Sequence, residues 1–150
     1  MEIIITILTA VHVVSAALWV GAVFMGSVID PPAIRNSSDE PWPLVNFIVG
    51  QGMRVFPWVY TSMTVIFVTG AALVWLHPPQ DAREVTLLVI KFLALAVMAG
   101  NTLYGSLVTW PKIQFATPAE VRELWKPYLV RAYVTMGAGI FALILGTALR

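Results

Sequence analysis

Cysteine is absent and charge is scarce in this chain of 150 residues, of which only 11% are Asp, Glu, Lys or Arg. Without cysteine there is no disulfide framework, iron–sulfur cluster, thiolate zinc site or cysteine nucleophile. Nine Lys and Arg against eight Asp and Glu give no basic excess of the kind that binds nucleic acid, so no nucleic-acid partner is expected. The sequence also lacks a hydrophilic segment long enough for a separate soluble catalytic domain.

Hydrophobic residues make up 59% of the chain, and the mean hydropathy is +0.82. A soluble domain usually carries about 25% charged residues, so this composition predicts an integral membrane protein in contact with the lipid bilayer. A helix needs about 20 apolar residues to cross the hydrocarbon core. Four stretches qualify, at about 3–29, 56–76, 85–110 and 129–149. We therefore predict an all-α four-helix bundle that forms a single membrane domain over residues 1–150.

Prolines and capping residues mark the expected joints between the spans. Asp30-Pro31-Pro32, His77-Pro78-Pro79 and Pro111 are expected to end the first three spans, because proline cannot continue a helix without losing a backbone hydrogen bond. Residues 44–55 carry apolar side chains at helical spacing, which predicts a segment lying along the membrane interface. Thr117-Pro118-Ala119-Glu120 forms a capping box, which predicts the start of a short helix.

The distribution of basic residues predicts the orientation in the membrane. Arg83 and Arg150 flank the spans on one side. The first and third loops, on the other side, hold six basic residues, namely Arg35, Arg54, Lys112, Arg122, Lys126 and Arg131. Basic flanking residues favour the cytoplasmic side. Both termini are therefore expected on the non-cytoplasmic side of the cell inner (cytoplasmic) membrane, which the chain crosses several times.

Two ionisable residues fall well inside the predicted spans. His12 lies about nine residues into the first span and Lys91 about six into the third, at depths of roughly 13 and 9 Å. Both helices start on the same side, so the two groups are expected at similar depth in one leaflet. His77 ends the second span on that side too. Ionisable groups are costly in a bilayer, which makes His12 and Lys91 candidate functional residues.

A neutral imidazole in a helical bundle is a suitable axial ligand for haem iron, so His12 is a candidate metal ligand. Trp19 and the small residues Ala16 and Gly26 follow it at turn-repeat spacing, which suits a flat apolar macrocycle. The alternative is a buried histidine that hydrogen-bonds a neighbouring carbonyl or hydroxyl and binds nothing. The residue types alone leave both interpretations open.

Lys91 has three interpretations. Its long side chain can extend to the interface, it can pair with an acidic group such as a haem propionate, or it can act as a functional base. Asn101 and Tyr104, farther along the same span, could donate hydrogen bonds to a ligand or join neighbouring helices. Both are candidate cofactor-binding residues.

The segment from Val11-His12 to Ala17-Leu18-Trp19-Val20-Gly21 resembles the opening helix of a superfamily of four-helix membrane proteins. This superfamily includes the HemJ-type protoporphyrinogen IX oxidases and the CopD-like copper-resistance domains. Lys91, within Val89-Ile90-Lys91-Phe92, looks like the lysine early in the third helix of the HemJ-type proteins. As a divergent member of the superfamily, the chain lacks the Asn-Glu-Pro that follows an arginine at their fourth helix. The resemblance implies that His12 is the axial ligand of a haem b iron and that Lys91 is a catalytic residue at the cofactor or porphyrin site.

The leading hypothesis is a membrane-embedded b-type haem protein that transfers electrons, alone or as a subunit of a respiratory complex. A second copy of the chain and a quinone are candidate partners. One alternative is an enzyme, a HemJ-like protoporphyrinogen IX oxidase in which Lys91 serves the porphyrin. Another is a CopD-like copper module, against which the scattered methionines count. The last is a structural membrane subunit without a cofactor.

Overall fold

The computed structural model describes residues 1–29 and 41–147, which form five α-helices and no strand. A π-helical turn follows α1 at Met25–Ile29, and another follows α3 at Gly105–Thr109. The helices in chain order are α1 (Glu2–Phe24), α2 (Pro41–Leu76), α3 (Ala82–Tyr104), α4 (Trp110–Phe115) and α5 (Pro118–Thr147). The all-α prediction is confirmed for this part of the chain.

Four helical segments of the described residues are long and apolar enough to cross a membrane, which confirms the predicted number of hydrophobic spans. They are Glu2–Ile29, Val49–Leu76, Ala82–Phe115 and Ala119–Thr147. Large apolar side chains cover the outside of these helices; Trp58 is 72% exposed and Trp75 is 85% exposed. A surface of this kind is suited to contact with lipid.

The helix boundaries differ from those expected at residues 44–55 and after Pro111. Residues 44–55, expected to lie along the interface, belong to one continuous helix, because α2 begins at Pro41. Helical structure also continues past Pro111 to Phe115. The π-helical turn Gly105–Thr109 ends two residues before this proline, and a local π-helical adjustment can satisfy backbone groups that a proline leaves unpaired. The expected end of the first span at 30–32, and residues 148–149 of the fourth, lie outside the described residues.

Side chains cap the starts of α3 and α5. The backbone N–H and the hydroxyl of Thr117 both donate to the Glu120 carboxylate, at 2.8 and 2.7 Å. The helix that follows runs for 30 residues and is not the short helix expected. At α3 the Asp81 carboxylate accepts from the Glu84 N–H at 2.7 Å, and the Glu84 carboxylate accepts from the Gln80 N–H at 2.7 Å. These bonds satisfy N–H groups that lack an intrahelical partner.

Helix α1 packs against both α2 and α5, and α3 packs against α5. The main core lies between these helices and consists of Trp19, Val59, Ile66, Met98 and Ala99. A second cluster of buried apolar residues joins α4 to the start of α5 and consists of Trp110, Ile113 and Val121. The molecule therefore has a packed interior along the spans and a separate apolar cluster at the end that carries α4.

Two glycines allow close contacts between helices. A Cβ atom at Gly52 in α2 would overlap the indole of Trp110. A Cβ atom at Gly139 in α5 would overlap Val20 and lie 2.9 Å from Cε of Met98. Small residues permit this kind of approach between membrane helices. The packing at both positions thus depends on the absence of a side chain.

We expect Gly52→Ala to destabilise the protein by about 1–3 kcal/mol, because the added methyl group forces the Trp110 ring or α2 to move. Gly50→Ala is the matched control, since a Cβ atom there meets nothing within 4 Å. It should leave stability unchanged or raise it by up to about 1 kcal/mol through helix propensity. Thermal unfolding in detergent, followed by circular dichroism, measures the difference. Equal midpoints for the two variants would contradict this packing.

Candidate functional site

His12 lies in the middle of α1, half-buried, with its side chain directed at α2. Its ring Nδ1 is 2.8 Å from the hydroxyl oxygen of Thr69. That hydroxyl donates to the backbone carbonyl of Val65 at 2.6 Å. A hydroxyl has a single proton, so when Thr69 donates it to Val65, the hydroxyl oxygen accepts from His12.

The Thr69 hydrogen bond favours one form of the imidazole. With the oxygen of Thr69 as acceptor, His12 carries its proton on Nδ1, and Nε2 keeps its lone pair. The carbonyl of Ile66 is a second acceptor near this hydroxyl, at 3.4 Å. A histidine that binds a metal commonly donates its other N–H in this way, which sets both the tautomer and the ring orientation. The arrangement is therefore chemically competent for ligation through Nε2.

Gly70 leaves room for the imidazole against α2, since a Cβ atom there would be 3.3 Å from Cε1 of His12. Lys91, half-buried on α3, extends towards α5, where a Cβ atom on Gly146 would be 3.5 Å from its Nζ. Its ammonium group is a positive charge at a half-buried position. No carboxylate of the described residues balances that charge. His12 and Lys91 are thus both half-buried, but the contacts that the structure shows join His12 to α2 and Lys91 to α5.

Trp19, a predicted cofactor-binding residue, lies in the core. It is seven residues beyond His12, a distance of about 10 Å along α1. Its side chain is fully buried among Val59, Ile66 and Met98. The indole N–H is also buried and has no hydrogen-bond partner among the described residues.

Asn101 and Tyr104 lie away from His12 and Lys91. Asn101 is ten residues beyond Lys91, about 15 Å along α3, and lines a cavity at the other end of the bundle. Tyr104 is 47% exposed, and the guanidinium carbon of Arg131 is 4.4 Å from the centre of its ring. The predicted site residues therefore form two groups at different levels, rather than one pocket.

The cavity that contains Asn101 was not predicted from the sequence. It has about 80 Å³ of free space and is lined by residues of all five helices. Arg131, which we counted among the loop residues, is the one charged residue in its described lining. The sequence did contain an indication of this polar site, because Arg131 is a charged residue two positions inside the predicted fourth span. Neither this cavity nor a shallower groove between α1 and α2 is lined by His12 or Lys91.

The part of the chain that the structure describes contains no group of three or more His, Cys, Asp or Glu side chains able to hold a metal ion together. His77 follows the last residue of α2 and is exposed. A metal at His12 would therefore have one histidine ligand from this chain at that level. Comparison with protein-family models, curated proteins and solved structures found no match to the chain.

We expect Thr69→Val to destabilise the protein by about 1–3 kcal/mol, because it removes the acceptor of a half-buried imidazole N–H. Thr69→Ser keeps the hydroxyl and should lose less. Thr64→Val is the control, since this exposed threonine only donates to the carbonyl of Tyr60. The measurement is thermal unfolding in detergent. If Thr69→Val and Thr64→Val unfold at the same temperature, the hydrogen bond to His12 does not stabilise the fold.

Proposed function

We propose that the protein is inserted in the cell inner membrane with both termini on the non-cytoplasmic side. Four apolar helices support insertion, and an even number of spans leaves the two termini on one side. The charge distribution supports the direction. Arg54, Lys112 and Lys126 are exposed towards the end that carries α4, whereas Arg83 is the exposed basic residue at the α2–α3 connection. Basic residues of this kind favour the cytoplasmic side.

Two single-cysteine variants test the orientation, because the chain has no cysteine of its own. Gln80, between α2 and α3, and Gln114, in α4, are both exposed and lie at opposite ends of the spans. In right-side-out membrane vesicles, a membrane-impermeant maleimide should label Gln80→Cys. It should label Gln114→Cys only after detergent is added. The opposite pattern would reverse the proposed orientation.

We further propose that the protein binds haem b through His12 and transfers electrons, alone or as a subunit of a respiratory complex. The observation that carries the proposal is the hydrogen bond from Nδ1 of His12 to Thr69, which leaves Nε2 available as a ligand. Imidazole is the commonest protein ligand of haem iron. When bound, the haem would supply one-electron chemistry. His12 would supply one nitrogen donor to the iron of such a group.

The roles of the neighbouring residues follow from their chemistry. Thr69 orients the imidazole, and Gly70 gives it space against α2. Lys91 supplies a positive charge without a carboxylate partner among the described residues, which suits a haem propionate. Trp19 fills the core about two turns along α1 from His12, and its buried ring excludes water from that part of the bundle. A second copy of the chain would be a candidate source of a further iron ligand, and a quinone would be a candidate electron acceptor.

The test is a reduced-minus-oxidised visible spectrum of the detergent-purified protein, with a pyridine haemochrome assay. We expect a b-type spectrum in the wild type and loss of haem in His12→Ala. Thr69→Val should weaken haem retention by about 10–100-fold, as is usual when the partner of a ligating histidine is removed. His77→Ala is the control, because its exposed ring should not affect haem content. Unchanged haem in His12→Ala would contradict the assignment.

Two other functions have some support. The hydrogen bond between His12 and Thr69 is also what a structural subunit without a cofactor would use to join α1 to α2. A colourless protein, expressed with adequate haem, would favour that function. Lys91, which looks like the lysine early in the third helix of the HemJ-type proteins, favours a HemJ-like oxidase. In that case Lys91→Met should keep haem but fail to rescue a strain that lacks protoporphyrinogen oxidase.

A further inference from the structure

We propose that the cavity lined by Arg131 binds the oxyanion headgroup, phosphate or carboxylate, of an amphiphilic molecule. The cavity lies at the end of the bundle that carries α4, away from His12 and Lys91. It has about 80 Å³ of free space, enough for a small headgroup, and is partly open to the outside. The proposal does not depend on haem binding.

The charge of Arg131 is the first argument. Its Nε donates to the carbonyl of Pro127 at 3.3 Å, and its guanidinium lies over the ring of Tyr104. Its other N–H groups have no hydrogen-bond partner in residues 1–29 and 41–147, and no carboxylate is among the described lining residues. A partly buried cation without a partner is costly. An oxyanion would accept from the planar guanidinium in the geometry that arginine binds best.

The neighbouring polar groups are the second argument. Asn101 of α3 and Tyr128 of α5 also line the cavity. The amide of Asn101 and the hydroxyl of Tyr128 have no hydrogen-bond partner in the described part of the chain. Together with Arg131 they offer N–H and O–H donors from two helices. A ligand rich in acceptor atoms would give these donors hydrogen-bond partners.

The remaining walls indicate that the ligand also has an apolar part. Phe56 packs edge-to-face on Trp110 with their ring centres 5.1 Å apart, and Trp125 stacks on Tyr128 at 5.0 Å. All four rings line the cavity, together with aliphatic residues such as Val59. A bare inorganic anion would be surrounded mostly by apolar side chains, whereas an amphiphile buries apolar surface beside its headgroup. An anionic phospholipid and a fatty acid both have this chemistry.

Native mass spectrometry of the full-length protein in detergent tests the proposal. The two probes are short-chain phosphatidylglycerol and oleate, with phosphatidylcholine as the zwitterionic control. We expect one saturable site for at least one anionic probe. Arg131→Gln should weaken it about tenfold, as expected for the loss of about 1.4 kcal/mol from a charge-assisted hydrogen bond. The probe that binds identifies the phosphate or the carboxylate as the ligand group.

Arg54→Gln is the matched control, because Arg54 is exposed and does not line the cavity. His12→Ala should bind the probe like the wild type, which separates this site from haem binding. Tyr128→Phe removes only a hydroxyl, so it should fold and weaken binding about threefold, even if Arg131→Gln is unstable. Three results would overturn the proposal. The first is an equal loss of binding in Arg131→Gln and Arg54→Gln, and the second is unchanged binding in both Tyr128→Phe and Arg131→Gln. The third is the absence of a saturable site for either anion.

Discussion

Buried polar groups in a bundle of apolar helices must find their hydrogen-bond partners within the protein, because the surrounding side chains offer none. This chain meets that constraint mostly within its own helices. Hydroxyl groups donate to the carbonyl one turn earlier; the residues are Ser27, Thr61, Thr64, Thr69, Thr86, Ser106 and Thr135. A hydroxyl that has donated its proton locally still has an acceptor oxygen. Thr69 uses that oxygen for His12, and Ser106 uses it for Tyr60, so local hydrogen bonds support contacts between helices.

Glycine determines where helices and side chains come close. Gly70 receives the imidazole of His12, Gly52 receives the indole of Trp110, and Gly139 receives Val20 and Met98. Gly21, Gly50, Gly100 and Gly137 have open space around the missing Cβ atom. A pattern of small residues along a helix therefore does not by itself identify contacts. Only the glycines opposite a large side chain determine the packing here.

Two cations at different levels of the bundle share one property. Lys91 near His12 and Arg131 in the cavity both lack a carboxylate partner among the described residues. Because the cost of such a charge falls when an anion approaches, each position is suited to an acidic group from outside the chain. The haem propionate proposed near Lys91 and the headgroup proposed at Arg131 are separate consequences of this principle. The distance between the two levels lets the two sites be tested independently.

Much of the fold could be predicted from the amino-acid order, since hydropathy and charge along the chain are local properties. The four apolar helices, the cap at Thr117 and the positions of His12 and Lys91 inside the spans belong to this part. The sequence did not predict that α2 begins at Pro41 or that helical structure continues beyond Pro111. At these places packing and a π-helical turn override the local effect of proline.

The tertiary structure decided which side chains meet. Thr69 became the partner of His12, while Asn101 and Tyr104 were placed away from it. Hydropathy does not specify the rotation of each helix about its axis relative to its neighbours. That rotation follows from side-chain packing across helices distant in sequence, so the cavity at Arg131 exists only in the folded bundle.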